Sequence, residues 1–201
     1  MTASSLQTYA ARRGRTRRQN ELFERLTEIL AAEGFKVLTL DQLADRLRCS
    51  KTTLYAIADS KASLVVEVAK DFFRESTAEV EARVAAATDP RAKIVEYLTA
   101  VSERLRPLSR EFMEDMAGFA PAADVYRQNT YAAANRIREL IAEGIEAGVF
   151  RPVHAAFAAE MTAATMVRIQ SGDMFRRLEI SDADAYAELS SLLIGALAAE
   201  D

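Results

Sequence analysis

The sequence predicts an all-α protein of about nine helices, with an N-terminal three-helix unit set on a larger C-terminal helical bundle. Three observations carry this expectation. Seven glycines and four prolines are all that interrupt a 201-residue chain that is half hydrophobic and rich in Ala, Leu and Glu, a composition that favours long helices over sheets. Apolar residues recur at helical spacing almost throughout. Capping residues punctuate that pattern at short intervals near the start and at longer ones afterwards.

The first stripe is Leu22, Leu26, Ile29 and Leu30, at i, i+4, i+7 and i+8, with Gly34 as a stop. Thr39-Leu40-Asp41-Gln42 matches a capping box, in which the Thr oxygen and the Gln side chain satisfy each other's free backbone N–H groups. It opens a helix of only about eight residues with Leu40, Leu43 and Leu47 on one face. Ser50 caps a third short helix, and Ser60 a fourth that runs through Phe72 and Phe73 towards Ala87. Asp89-Pro90 places a cap before a proline at the first helical position, and that helix ends ahead of Pro107. A short helix around residues 110–116 reaches Gly118. Pro121 opens a long one to about Ala147, broken by Gly148 and Pro152. Helix resumes from about His154 to Gln170 with Gly172 as stop, and Ser181 caps a last helix to Ala199. No Pro/Gly/Ser linker separates the N-terminal unit from the bundle.

Composition also bounds function. No apolar run approaches the roughly 18–20 residues of a membrane-spanning helix. The polar, arginine-rich start is unlike a secretory signal. One cysteine excludes an internal disulfide framework and fits a reducing compartment, so a cytoplasmic protein is expected. Net charge is −4, yet residues 1–61 hold 11 Lys and Arg against 7 Asp and Glu, and the remainder 15 against 23. Such asymmetry points to a polyanion-binding end. No P-loop, GxSxG, HExxH or CxxC pattern is present, and Cys49 and the single histidine, His154, lie far apart. No catalytic residue, metal site or cofactor is expected.

The segment Ser50-Lys51-Thr52-Thr53-Leu54-Tyr55 has what a groove-entering helix needs: a cap, short polar side chains at its leading edge and one apolar anchor. Lys51, Thr52 and Thr53 offer donors to phosphate or base edges, and a threonine methyl also fits thymine. Five arginines fall among residues 12–18, with Gly14 between them. Residues 1–18 therefore suit a flexible basic arm that lies along the minor groove and adds affinity through counterion release.

Residues 19–64 resemble the DNA-binding domain of the TetR/AcrR family of transcriptional regulators. The resemblance rests on Ala31-Ala32-Glu33-Gly34-Phe35, Thr39-Leu40-Asp41-Gln42-Leu43-Ala44, Ser50-Lys51-Thr52-Thr53-Leu54-Tyr55 and Ser60-Lys61-Ala62-Ser63-Leu64, in order and without a gap. Residues 141–152 (IAEGIEAGVFRP) are similar to the helix end that precedes the last two helices in many members. The resemblance implies a helix-turn-helix domain over residues 19–65 and a ligand-binding and dimerisation domain over 66–201. It implies a homodimer on a palindromic operator in double-stranded DNA, released by a small-molecule effector, and so a repressor. The DNA contacts it suggests are Arg15, Arg17, Arg18, Thr39, Arg48, Ser50, Lys51, Thr52, Thr53, Tyr55 and Lys61. The sequence departs from the family at Arg48-Cys49, where Gly-Val is common, and at Ala56 and Ala58, where a phosphate-contacting aromatic or His and a Phe are common. Arg48 is expected to need a left-handed backbone there. These departures keep a second reading open, a helical ligand-binding or interaction protein that has lost operator recognition.

In the bundle, Phe73, Tyr97, Phe112, Met113, Met116, Phe119, Tyr126, Tyr131 and Met161 are candidate walls of an effector pocket, being aromatic or adaptable. The Ala- and Met-rich stretch His154–Ile169 and the apolar stripe of the last helix suit a two-fold four-helix interface. Its candidate residues are Phe157, Ala164, Leu189, Leu192, Leu193 and Ala196.

Overall fold

The computed structural model describes residues 16–170 and 180–198. Nine helices are found among them: α1 Arg17–Glu33, α2 Leu40–Leu47, α3 Lys51–Tyr55, α4 Lys61–Ala86, α5 Pro90–Leu105, α6 Arg110–Gly118, α7 Ala120–Glu146, α8 Ala155–Gln170 and α9 Asp182–Leu197. No strand occurs among the described residues; one isolated bridge joins Phe150 to Ala198.

The caps act where the sequence places them. Thr39 with Gln42 and Ser181 with Asp184 form reciprocal capping boxes, Ser50 accepts the N–H of Thr53, Ser60 that of Ser63, and Asp89 that of Ala92. His154 takes the same role for α8, its Nδ1 accepting the N–H of Phe157 at 3.1 Å. One boundary is corrected. Thr16 and Gln19 form a further capping box, so Arg17 and Arg18 are the first two helical residues of α1, not the end of a flexible arm. Arg12, Arg13, Arg15, Gly172 and Ala199 lie outside the described residues.

The chain divides into two compact units, Met1–Ala78 with Pro107–Tyr126, and Glu79–Arg106 with Arg127–Asp201. The first unit takes in two stretches of the chain because α6 packs against α1. In the first unit Leu22, Phe23, Leu26 and Leu30 of α1, Leu43 and Leu47 of α2 and Leu54 of α3 are buried, and α2 packs on both α1 and α3. In the second, α9 packs on α5 and α8 around Ile94, Tyr97, Leu98, Ile137, Leu140, Ile141, Phe150, Met166, Tyr186 and Leu197. Gly144 is required there: a Cβ at that position would stand 2.0 Å from the Phe150 ring. Arg151 closes the end of α9, its backbone N–H donating to the carbonyl of Leu197 and its Nε to that of Ala196 at 2.7 Å.

Candidate nucleic-acid interface

The turn between α2 and α3 decides how α3 is presented. The N–H of Cys49 donates to the carbonyl of Ala44 at 2.9 Å and that of Arg48 to Asp45 at 3.1 Å, the two bonds of a Schellman motif. That motif places Arg48 in the left-handed region, at φ 51° and ψ 47°. Arg48 is the one non-glycine residue with positive φ among the described residues, as expected for a residue standing where glycine is usual. Its side chain is exposed.

From this turn α3 runs for five residues. Leu54 is 1% exposed and anchors it, while Ser50, Lys51 and Thr52 are exposed and Thr53 half-buried. The Ser50 and Thr53 hydroxyls bond to each other at 2.9 Å. Tyr55 is 48% exposed, so it is not a core tyrosine. Ala56 is exposed as well. Thr39 is exposed at the start of α2, its hydroxyl engaged with Gln42.

Two relationships were not expected from the sequence. The Lys51 ammonium pairs with Asp41 in the first turn of α2, which ties α2 to α3 and partly neutralises the lysine. The Lys61 Nζ donates to the carbonyl of Lys36 at 3.2 Å, and burial pulls its pKa below the ordinary lysine value, partly offset by Asp115. Lys61 is therefore occupied by the turn after α1. Both pairs are visible in sequence only as isolated charges.

Other partners brace the unit. Arg46 pairs with Glu33 at 2.7 Å, which raises the guanidinium and lowers the carboxylate. Arg25 reaches the carbonyls of Arg46 and Leu47 at the end of α2. Arg17 is exposed and paired with Glu21 at 2.9 Å, and Arg18 is exposed. Burial pushes the Cys49 thiol above its ordinary value despite nearby Arg25 and Arg18, which reduces its thiolate at neutral pH.

The expected effector-pocket residues are divided between the two compact units. Phe73, Phe112, Met113, Met116, Phe119 and Tyr126 belong to the first unit and Tyr97, Tyr131 and Met161 to the second. Phe112 and Met116 are buried at 2% and 1% and serve as core, with Phe112 edge-on to Phe35 at 6.0 Å. Phe73 faces Tyr126 at 5.8 Å. Tyr97 is buried, which pushes its hydroxyl well above the ordinary tyrosine value, with Glu81 adding to the effect. Two of them are turned to solvent by helix register. Tyr131 is 60% exposed, because it stands six positions before buried Ile137, an offset that turns it away from that face. Met161 is 54% exposed, because it shares the outer face of α8 with Phe157 and Ala164.

The residues expected at an interface differ in exposure. Phe157 is 66% and Leu192 70% exposed, and Ala164 and Ala196 are exposed too. Leu193 is corrected: it is 9% exposed and belongs to the core of the second unit, with Leu189 packed against it from half-buried positions. The core stripe of α9 is Tyr186, Leu189, Leu193 and Leu197, which leaves Leu192 and Ala196 outside.

No helix of the described residues is long and apolar enough to cross a membrane. No protein-family model matches the chain, and no curated protein sequence does. Solved structures do match in fold. A transcriptional regulator from Cytophaga hutchinsonii ATCC 33406 is similar with a TM-score of 0.73 at 14% identity, over 90% of this chain and 98% of the other. The fatty acid degradation regulator FadR from Bacillus halodurans gives 0.72 at 13%, over 90% and 96%. A TetR-family transcriptional regulator from Agrobacterium tumefaciens gives 0.69 at 13%, over 90% and 98%. With its capped helix-turn-helix, its nine described helices and this likeness over 90% of its length, the chain has the fold of the TetR-family transcriptional regulators.

Proposed function

We propose that this protein is a sequence-specific DNA-binding transcriptional regulator, a homodimeric repressor that a small hydrophobic ligand releases from a palindromic operator. The observation that carries the reading is the presentation of α3: Leu54 is buried at 1% while Ser50, Lys51, Thr52 and Tyr55 are turned to solvent. A helix that exposes polar donors at its N-terminus over an apolar anchor suits entry into a major groove. The basic balance of residues 1–61 adds a sequence-independent pull on phosphate. The exposed apolar faces of α8 and α9 suit a two-fold partner, which would give two α3 helices for two half-sites. An effector couples to operator binding by typically about 1–3 kcal/mol.

Mobility-shift titrations across a salt series test this. The expected result is a saturable complex whose affinity falls steeply as salt rises. A salt-insensitive complex, or none at all, would favour a helical ligand-binding protein without operator recognition.

A further inference from the structure

A cleft of about 650 Å³ opens on the first unit, between the turn after α1, the start of α4 and the length of α6. That is within the range of small-molecule sites, roughly 300–1,000 Å³. Its apolar walls include Phe35, Val65 and Phe119, and Val37 stands 80% exposed at its edge.

Charge decides what kind of ligand fits. Glu33, Glu111, Glu114 and Asp115 line the cleft against Lys36 and Lys61. Glu33 is neutralised by Arg46. Asp115 is taken by two backbone N–H groups, from Phe35 and Lys36, both at 2.6 Å. Lys61 is held on the carbonyl of Lys36. Glu111 and Glu114 remain, three residues apart on α6, both exposed and neither in an ion pair among the described residues. Like charges at that spacing repel. A cation between them would relieve the repulsion.

The walls select the kind of cation. No group of three His, Cys, Asp or Glu side chains among the described residues is arranged to hold a metal ion, and a hard cation takes six or more oxygens. Apolar walls beside carboxylates suit a large, weakly hydrated organic cation, which gains from apolar burial and from opposite charge together.

We propose that this cleft binds a lipophilic organic cation, with Glu111 and Glu114 facing its charge and Phe35, Val65 and Phe119 its apolar body. As an effector site the cleft rests on the regulator reading; as a binding site it does not. A ligand there lies against the turn Gly34–Val37, which Asp115 and Lys61 hold and which leads directly into Thr39 and α2.

The test is calorimetric titration of the full chain with tetraphenylphosphonium and with tetraphenylborate, ions of matched shape and opposite charge. The phosphonium is expected to bind at least tenfold more tightly than the borate. The double variant Glu111→Gln/Glu114→Gln should lose at least tenfold for the phosphonium while keeping the wild-type melting curve, since both side chains are exposed. Ala62→Trp, which fills the cleft from an exposed position, should abolish binding. Equal or tighter binding of the borate, no phosphonium binding up to millimolar, or undiminished binding by either variant would overturn the proposal. None of these readouts uses DNA, so a failure to bind any operator would sink the regulator reading and leave this one standing.

Discussion

Asp115 on α6 accepts the backbone N–H of Phe35 at 2.6 Å across 80 residues of sequence. The same oxygen accepts the N–H of Lys36, and Ser109 donates its own N–H to the carbonyl of Ala31 at 2.7 Å. Phe35 stands edge-on to both Phe112 and Phe119. Gly34, at φ 75°, is required for the approach, because a Cβ there would stand 2.7 Å from the Asp115 carboxylate. Helix α6 is thus fastened to the turn that leads into the helix-turn-helix.

Removing that carboxylate leaves two amide donors without their acceptor. Asp115→Ala is expected to destabilise the protein by about 2 kcal/mol, since hydrogen bonds to charged groups contribute roughly 1.5–3 kcal/mol each and Lys36 is exposed enough for water to compensate in part. Asp115→Asn, which keeps one acceptor, should cost about half as much. Urea denaturation of the two variants checks both the size and the order. A silent Asp115→Ala would mean that the fastening contributes nothing.

Arg48 holds a left-handed conformation that a non-glycine residue adopts at a cost of about 1–2 kcal/mol. Glycine relieves that strain but adds entropy to the unfolded chain, about 0.5–1 kcal/mol. Arg48→Gly should therefore raise stability modestly, by about 0.5–1 kcal/mol in chemical denaturation. If the guanidinium meets phosphate, the same variant should bind DNA less tightly. Higher stability with weaker DNA binding would mark Arg48 as retained for contact rather than for folding.

The helices were legible because their signals are local. A capping box spans four residues, so Thr39 with Gln42 and Ser181 with Asp184 can be read directly. Thr16 with Gln19 carries the same signal, but the surrounding arginines read as an arm and obscured it. Side-chain facing was less legible. Met161 and Leu193 both sit in apolar stretches, and only the packing of α9 on α8 and α5 turns the first out and the second in. Least legible were partners distant in sequence. Nothing in the local pattern links Asp115 to Phe35 or Lys61 to Lys36, because the pairing depends on where α6 docks.

The pairing of Lys51 with Asp41 alters what Lys51 contributes to DNA binding. A lysine already paired gains less from phosphate, so Lys51→Ala should reduce the salt slope by at most about one per subunit. Deleting residues 1–15, which removes Arg12, Arg13 and Arg15 and leaves the Thr16 cap in place, should reduce it by about two. Asp41→Asn should strengthen binding to unrelated DNA. Salt-dependent fluorescence anisotropy on one duplex ranks all three. A deletion without effect would remove the basic arm from the account.

The outer faces of α8 and α9 give a separate expectation. Phe157 and Leu192 are exposed large apolar side chains, so Phe157→Asp and Leu192→Asp should leave the fold intact and yield a monomer in sedimentation velocity. Leu193→Asp, by contrast, places a charge in the core and should unfold the second unit. If the two surface variants sediment as the wild type does, these faces are not the interface.

The central claim is that α3 reads DNA sequence as one half of a two-fold pair. Selection from a random DNA pool by the purified full-length protein tests it most directly. The account predicts enrichment of an inverted repeat, with Thr52→Ala or Thr53→Ala changing the preferred bases within each half-site. A pool that stays random through repeated rounds, at a salt concentration low enough for any phosphate contact to act, would contradict it.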